Sequence, residues 1–284
     1  MIICPTHGFV FVHIPKCAGS SIRSQIQHCD PDHVALARTG RHPVLGTIDY
    51  GHIPLDQLRE HFPEHYASVR DLDAFAVIRD PLARFGSALR QVLWQYEKRP
   101  MTLIPRDELR DTTLRMLDRV GAEIDAPSHP FIFFMRQHRF VFDDGQQVTR
   151  NMIPLDLVPE FIGYLSRRTG VPMETGARAN QNVDLRIKGA AGRLAFGVNH
   201  ALRATLPRGL HTRIKDGALR LLSSRRSAAE AAGVLDLPEV RDFVAEYYAE
   251  DIGIFSEVTA RASAICKQLE AVDMEMKVDR PPPI

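Results

Sequence analysis

The chain has 284 residues, 44% hydrophobic and 25% charged, a composition that suits one large globular domain or two small ones. Lys and Arg number 36 against 35 Asp and Glu, a formal net charge of +1, so no global field draws the chain to nucleic acid or to a membrane, and any anion site has to be local. Four cysteines, Cys4, Cys17, Cys29 and Cys266, show no CxxC spacing, which argues against a zinc site or a disulfide framework and predicts free thiols in a reducing, cytoplasmic setting.

Gly8 to His13 is a short run of aromatic and β-branched residues that predicts a strand; the run stops at Ile14 to Gly19, and helical spacing follows from Ser20 to His28. The same order recurs further on. Ala74 to Arg79 predicts a second strand, Asp80-Pro81 a helix cap with proline in the first turn, and the stretch through Tyr96 an amphipathic helix. Two such units in succession predict a parallel sheet with helices on its faces. Further strands are expected at Arg139 to Phe142 and near Val148 to Ile153, then a helix from about Leu155 to Arg168.

From about Asp184 to Asp236 the chain is rich in cations, among them Arg186, Lys188, Arg203, Arg213, Arg220 and Arg226, on segments of helical spacing. That region reads as a basic helical insertion, either a substrate-contacting surface or a solvated face. A last helical stretch is expected from Pro238 to Phe255. The whole reads as one α/β domain over residues 1–284. With no leader-like start and no run of eighteen apolar residues, the chain is expected to be neither secreted nor membrane-spanning.

A loop that opens a helix behind a buried strand aims several backbone N–H groups and the positive helix end at one point, which suits a phosphate. Lys16 adds a mobile cation there, and Ser20 and Ser21 add hydroxyl donors. The order Lys16, Gly19, Ser20-Ser21 is not the G-x-x-x-x-G-K-[ST] order of a Walker A loop. At the second unit, Arg79 at a strand end and Ser87 on the next helix can converge on another phosphate, one as a charged fork and the other as a short donor.

The string Phe11-Val-His-Ile-Pro-Lys-Cys-Ala-Gly-Ser-Ser-Ile22 resembles the F-x-H-I-P-K-T-A-G-T-S phosphosulfate loop of carbohydrate sulfotransferases related to heparan sulfate 2-O-sulfotransferases. Val77 to Ser87 resembles the R-D-P-x-x-R-x-x-S motif that holds the 3′-phosphate in that family. The resemblance covers about residues 8–183 and 237–256 and leaves out the basic insertion. It implies a P-loop-like central parallel sheet and, as donor, 3′-phosphoadenosine 5′-phosphosulfate (PAPS). The 5′-phosphosulfate would be held by Lys16 and the loop Cys17, Ala18, Gly19, Ser20 and Ser21, the 3′-phosphate by Arg79 and Ser87.

Cys17 and Ser20 stand where the family usually has threonine; Ser20 keeps the hydroxyl, whereas Cys17 keeps only its backbone N–H as a phosphate donor. Sulfuryl transfer needs a base for the acceptor hydroxyl, and histidine suits a base near neutrality, but the chain has 12 of them. Asp49-Tyr-Gly-His-Ile-Pro54 resembles the family's catalytic Gly-His segment, which singles out His52. His13 is expected to pack or to bond within the loop, and Arg84 either to be structural or to face the site. Gln137 and the Tyr247-Tyr-Ala-Glu-Asp251 segment echo family elements expected to be architectural.

The function so implied is in-line sulfuryl transfer to an acceptor hydroxyl of a carbohydrate, with no metal required and Lys16 supporting the leaving phosphate. Two alternatives belong to other classes. One is a P-loop nucleotide kinase; the other is a non-catalytic protein that binds sulfated glycans.

Overall fold

The structure is a computed structural model that describes residues 1–32, 39–123, 129–175 and 233–275. Most of the expected basic insertion lies outside the described residues. Two compact units are present: one holds the described parts of Met1–Ala88, Glu123–Asn180 and Val244–Ile284, the other those of Leu89–Ala122 and Gln181–Phe243.

The first unit is built on a four-stranded sheet. In spatial order its strands are β1 (Ile2–Cys4), β2 (Phe9–Val12), β5 (Asp73–Ile78) and β8 (Asn151–Pro154). The pairs β2–β5 and β5–β8 are parallel, whereas β1 runs antiparallel to β2. The α/β class expected from the sequence is present, but the sheet is mixed rather than all parallel. The three-residue β1 gave no periodic signal of its own.

All of β2 is buried, as is β5 beyond Asp73, because helices cover both faces of the parallel strands. That double burial is why both segments are nearly continuous apolar runs. On one face Phe75 meets Phe161 of α6 (Val158–Thr169) at 5.2 Å between ring centroids.

Each parallel strand delivers the chain to a helix: β2 leads to α1 (Gly19–Ile26), and β5 leads to α4 (Pro81–Gln95). Asp80 caps α4, its carboxylate accepting the Ala83 N–H at 2.7 Å. In the parallel register Val12 pairs with Ala76, so the loops that leave β2 and β5 emerge side by side at one sheet edge. A short hairpin, β3 (Thr39–His42) and β4 (Gly46–Asp49), precedes α2 (Leu55–His61) and α3 (Pro63–Asp71).

The strand expected at Arg139 to Phe142 is replaced by a 3-10 turn, Gln137–Phe140, and a two-residue strand β6 (Phe142–Asp143) paired with β7 (Gln146–Gln147). Backbone N–H groups of Gln137 and His138 are drawn to a carboxylate and bend the chain there. The strand expected from Val148 begins only at Asn151, because the Val148 and Thr149 N–H groups both turn back to the Val141 carbonyl.

In the second unit, α5 (Arg106–Ala122) carries Glu108 against Arg99 and Arg110 against Glu239 on α7 (Pro238–Tyr247). The final stretch expected to end at Phe255 is instead α7 followed by α8 (Ala249–Ala260), with α9 (Ala262–Glu275) beyond. The four cysteines are free thiols. Among the described residues no helix is long and apolar enough to cross a membrane.

Candidate active site

The loop between β2 and α1 owes its shape to two residues in the left-handed region, Lys16 at φ 67° and Ala18 at φ 58°. For residues with a Cβ each such conformation costs about 1–2 kcal/mol, so the surroundings must impose it. Two contacts do. The Cys17 thiol, buried at 1% exposure, donates to the Gln137 Oε1 at 3.3 Å, and the Arg79 Nη1 donates to the Lys16 carbonyl at 3.0 Å.

Ala18 then accepts the Ser21 and Ile22 N–H groups, which starts α1. The Gly19 and Ser20 N–H groups, at the first turn, have no partner within the helix. Ser20 is exposed and Ser21 half-buried.

Glycine at position 19 is required by a neighbour. A Cβ there would sit 1.8 Å from the Cδ2 of His13 and 2.2 Å from its Nε2. The His13 ring therefore lies close against the start of α1, buried, with no hydrogen-bond partner for its Nδ1 among the described residues. Burial and the adjacent His52 hold His13 well below the usual histidine range, so it is neutral.

His52 sits in a turn that Asp49 closes twice, its carboxylate accepting the Gly51 N–H and its carbonyl the His52 N–H, both at 2.9 Å. The turn lies between β4 and α2 and sets the half-buried His52 ring 4.2 Å from that of His13. The His52 Nδ1 is 2.9 Å from the His13 carbonyl. A carbonyl only accepts, so Nδ1 carries the hydrogen and Nε2 keeps its lone pair. Burial lowers the His52 pKa from 6.5, against the raising pull of Asp49 and the His13 carbonyl. At neutral pH the ring is a neutral base with one free basic nitrogen.

A buried polar brace holds the two loops together. The Gln137 side chain accepts the Arg79 N–H at 3.0 Å and donates to the Arg79 carbonyl at 2.9 Å, in addition to its contact with Cys17. Gln137 is itself fixed by Asp251 on α8, whose carboxylate accepts the Gln137 and His138 N–H groups at 2.8 and 2.9 Å. Arg84 lies 3.6 Å from the same carboxylate; both side chains are at 0% exposure. Arg84 also donates to the Phe133 carbonyl at 3.2 Å and stacks over Tyr248.

Of the residues singled out from sequence, Lys16, Cys17, Gly19, Arg79 and His52 are thus gathered at one edge of the sheet. Arg84 is structural. The Cys17 side chain points into the protein, and burial pushes its pKa up to about 12, so only its backbone can face an anion. Ser87 is half-buried on the second turn of α4 and lies outside the brace. Two surface hollows, of 180 and 330 Å³, lie elsewhere, one lined by Asp30, Asp32 and Glu64 and the other by Arg59, Arg70 and Asp143.

Sequence reading missed Phe133. Its ring centroid is 5.8 Å from the Lys16 Nζ and 6.4 Å from the His52 ring. The only signal was its place in the apolar run Phe131 to Met135, which reads as core. A comparison with protein-family models, curated proteins and solved structures found no match.

Proposed function

We propose that the protein transfers the sulfuryl group of PAPS to an acceptor hydroxyl, with a carbohydrate as the acceptor. The observation that carries the reading is the junction of the two anion-binding loops. The Arg79 guanidinium donates to the Lys16 carbonyl at 3.0 Å, which ties the second motif to the backbone of the first, and the His52 ring is held through Nδ1 on the His13 carbonyl, just before the same loop.

A nucleotide with phosphates at two separate positions matches two separate anion loops. The α1 amides and Lys16 would hold the 5′-phosphosulfate, and Arg79 with Ser87 the 3′-phosphate. The chain's own contribution is then to orient and to move a proton. Lys16 offsets the charge that grows on the leaving phosphate oxygen, while His52 Nε2 takes the acceptor hydroxyl proton as the new sulfur–oxygen bond forms.

The donor assignment is tested at Arg79. Calorimetry on Arg79→Ala is expected to show a loss of roughly tenfold or more for 3′-phosphoadenosine 5′-phosphate, since a charge-assisted bond to an anion is worth about 1.5–3 kcal/mol. Adenosine 5′-phosphate should lose clearly less. Some loss for both ligands is expected because Arg79 also holds the Lys16 carbonyl. Equal losses would place the 3′-phosphate elsewhere.

A further inference from the structure

One side chain grips both anion motifs at once. The Gln137 Oε1 accepts the Arg79 N–H at 3.0 Å and the Cys17 thiol at 3.3 Å, while its Nε2 donates to the Arg79 carbonyl at 2.9 Å. Gln137 is at 0% exposure, so it meets no ligand itself. Its place is set from behind by the Asp251 carboxylate, equally buried, which accepts the Gln137 N–H at 2.8 Å. The carboxamide is therefore a fixed strut between the loop that carries Lys16 and the strand end that carries Arg79.

We propose that Gln137 is a positioning residue that couples the two phosphate sites, its carboxamide fixing their spacing so that one nucleotide phosphorylated at both positions engages them together. The proposal rests on the sulfotransfer reading of the site and gives that reading a source of donor selectivity.

Once one phosphate of a nucleotide is held, the second meets its site at an effective concentration that depends on how closely the spacing of the two sites is fixed. Loosened loops keep most of their grip on a single phosphate but lose that advantage. The strut acts where the loop most needs it, since Cys17 stands between Lys16 and Ala18, the two residues held in the left-handed region. The other link between the motifs, from the Arg79 Nη1 to the Lys16 carbonyl, hangs on the end of a long side chain with many rotamers. Gln137 instead holds the Arg79 backbone on both its N–H and its carbonyl.

The test compares wild type, Gln137→Met, Cys17→Ala and Cys17→Ser by calorimetry with 3′-phosphoadenosine 5′-phosphate, adenosine 5′-phosphate and adenosine 3′-phosphate. Methionine is close to glutamine in length and volume but cannot make the amide's bonds. Gln137→Met is expected to lose about tenfold in affinity for the bisphosphate and no more than about threefold for either monophosphate. Cys17→Ala, which removes only the loop end of the strut, should lose about threefold for the bisphosphate and clearly less for the monophosphates. Cys17→Ser keeps a donor toward Gln137 and should restore the affinity.

Equal losses for all three nucleotides in Gln137→Met would make Gln137 merely structural and overturn the proposal. So would an unchanged affinity for the bisphosphate. Where thermal unfolding shows that Gln137→Met does not fold, Cys17→Ala decides by the same comparison, and an equal loss there or no rescue in Cys17→Ser overturns the coupling. A wild type that binds the bisphosphate no tighter than the monophosphates removes the sulfotransfer reading and the proposal with it. Failure of the proposal alone leaves that wild-type preference intact.

Discussion

His52→Ala is expected to lower turnover about a hundredfold to ten-thousandfold, the range for loss of a positioned general base, with affinity for 3′-phosphoadenosine 5′-phosphate nearly intact. The His13 carbonyl fixes the hydrogen on Nδ1, so removal of the ring removes the one basic nitrogen together with that single hydrogen bond, while the Cys17 and Arg79 contacts that shape the loop remain. The sign of the pH effect follows from burial. His52 has its pKa lowered from 6.5, and the base works only when neutral. The acid limb of the wild-type rate should therefore be centred below pH 6.5, and His52→Ala should lack it. A variant that keeps both the rate and the limb would assign the base elsewhere.

Lys16→Ala is expected to cost roughly a hundredfold or more in turnover, as for loss of a preorganised group at developing charge. Lys16 already occupies the left-handed region at φ 67°, and alanine there meets the same backbone penalty, so the loop should keep its course through the Cys17 and Arg79 contacts. Lys16→Arg keeps the charge but replaces a compact ammonium with a wider fork; its turnover should lie between the two. Near-normal turnover in Lys16→Ala would remove it from the reaction.

What the sequence made legible is local. The apolar runs of β2 and β5, the Asp80 cap and the helical spacing after each loop are written within a dozen residues, and both strand–loop–helix units are present.

What was not legible depends on contacts across the chain. Asp251 reaches Gln137 across 114 positions, and Gln137 reaches Cys17 across 120. That pull turns Gln137 to Phe140 into a 3-10 turn, which takes over the start of the strand expected at Arg139 to Phe142. It also draws the Cys17 side chain inward, where the loop motif suggested only a lost phosphate contact. Phe133 reads as core because nothing in the run Phe131 to Met135 distinguishes the one ring left half-open. Gly19 shows the same limit: its need is set by the ring of His13, six residues earlier, rather than by the turn itself.

The central claim is that two separate anion loops select a nucleotide phosphorylated at two separate positions. Calorimetric titration of the purified protein with 3′-phosphoadenosine 5′-phosphate and, in parallel, with ATP addresses it most directly. The account predicts one site for the first ligand, bound roughly tenfold or more tighter than ATP, because only that ligand engages Arg79 and the Lys16 loop at once and one charge-assisted bond is worth about 1.5–3 kcal/mol. ATP binding as tightly, or no binding of 3′-phosphoadenosine 5′-phosphate, would contradict it.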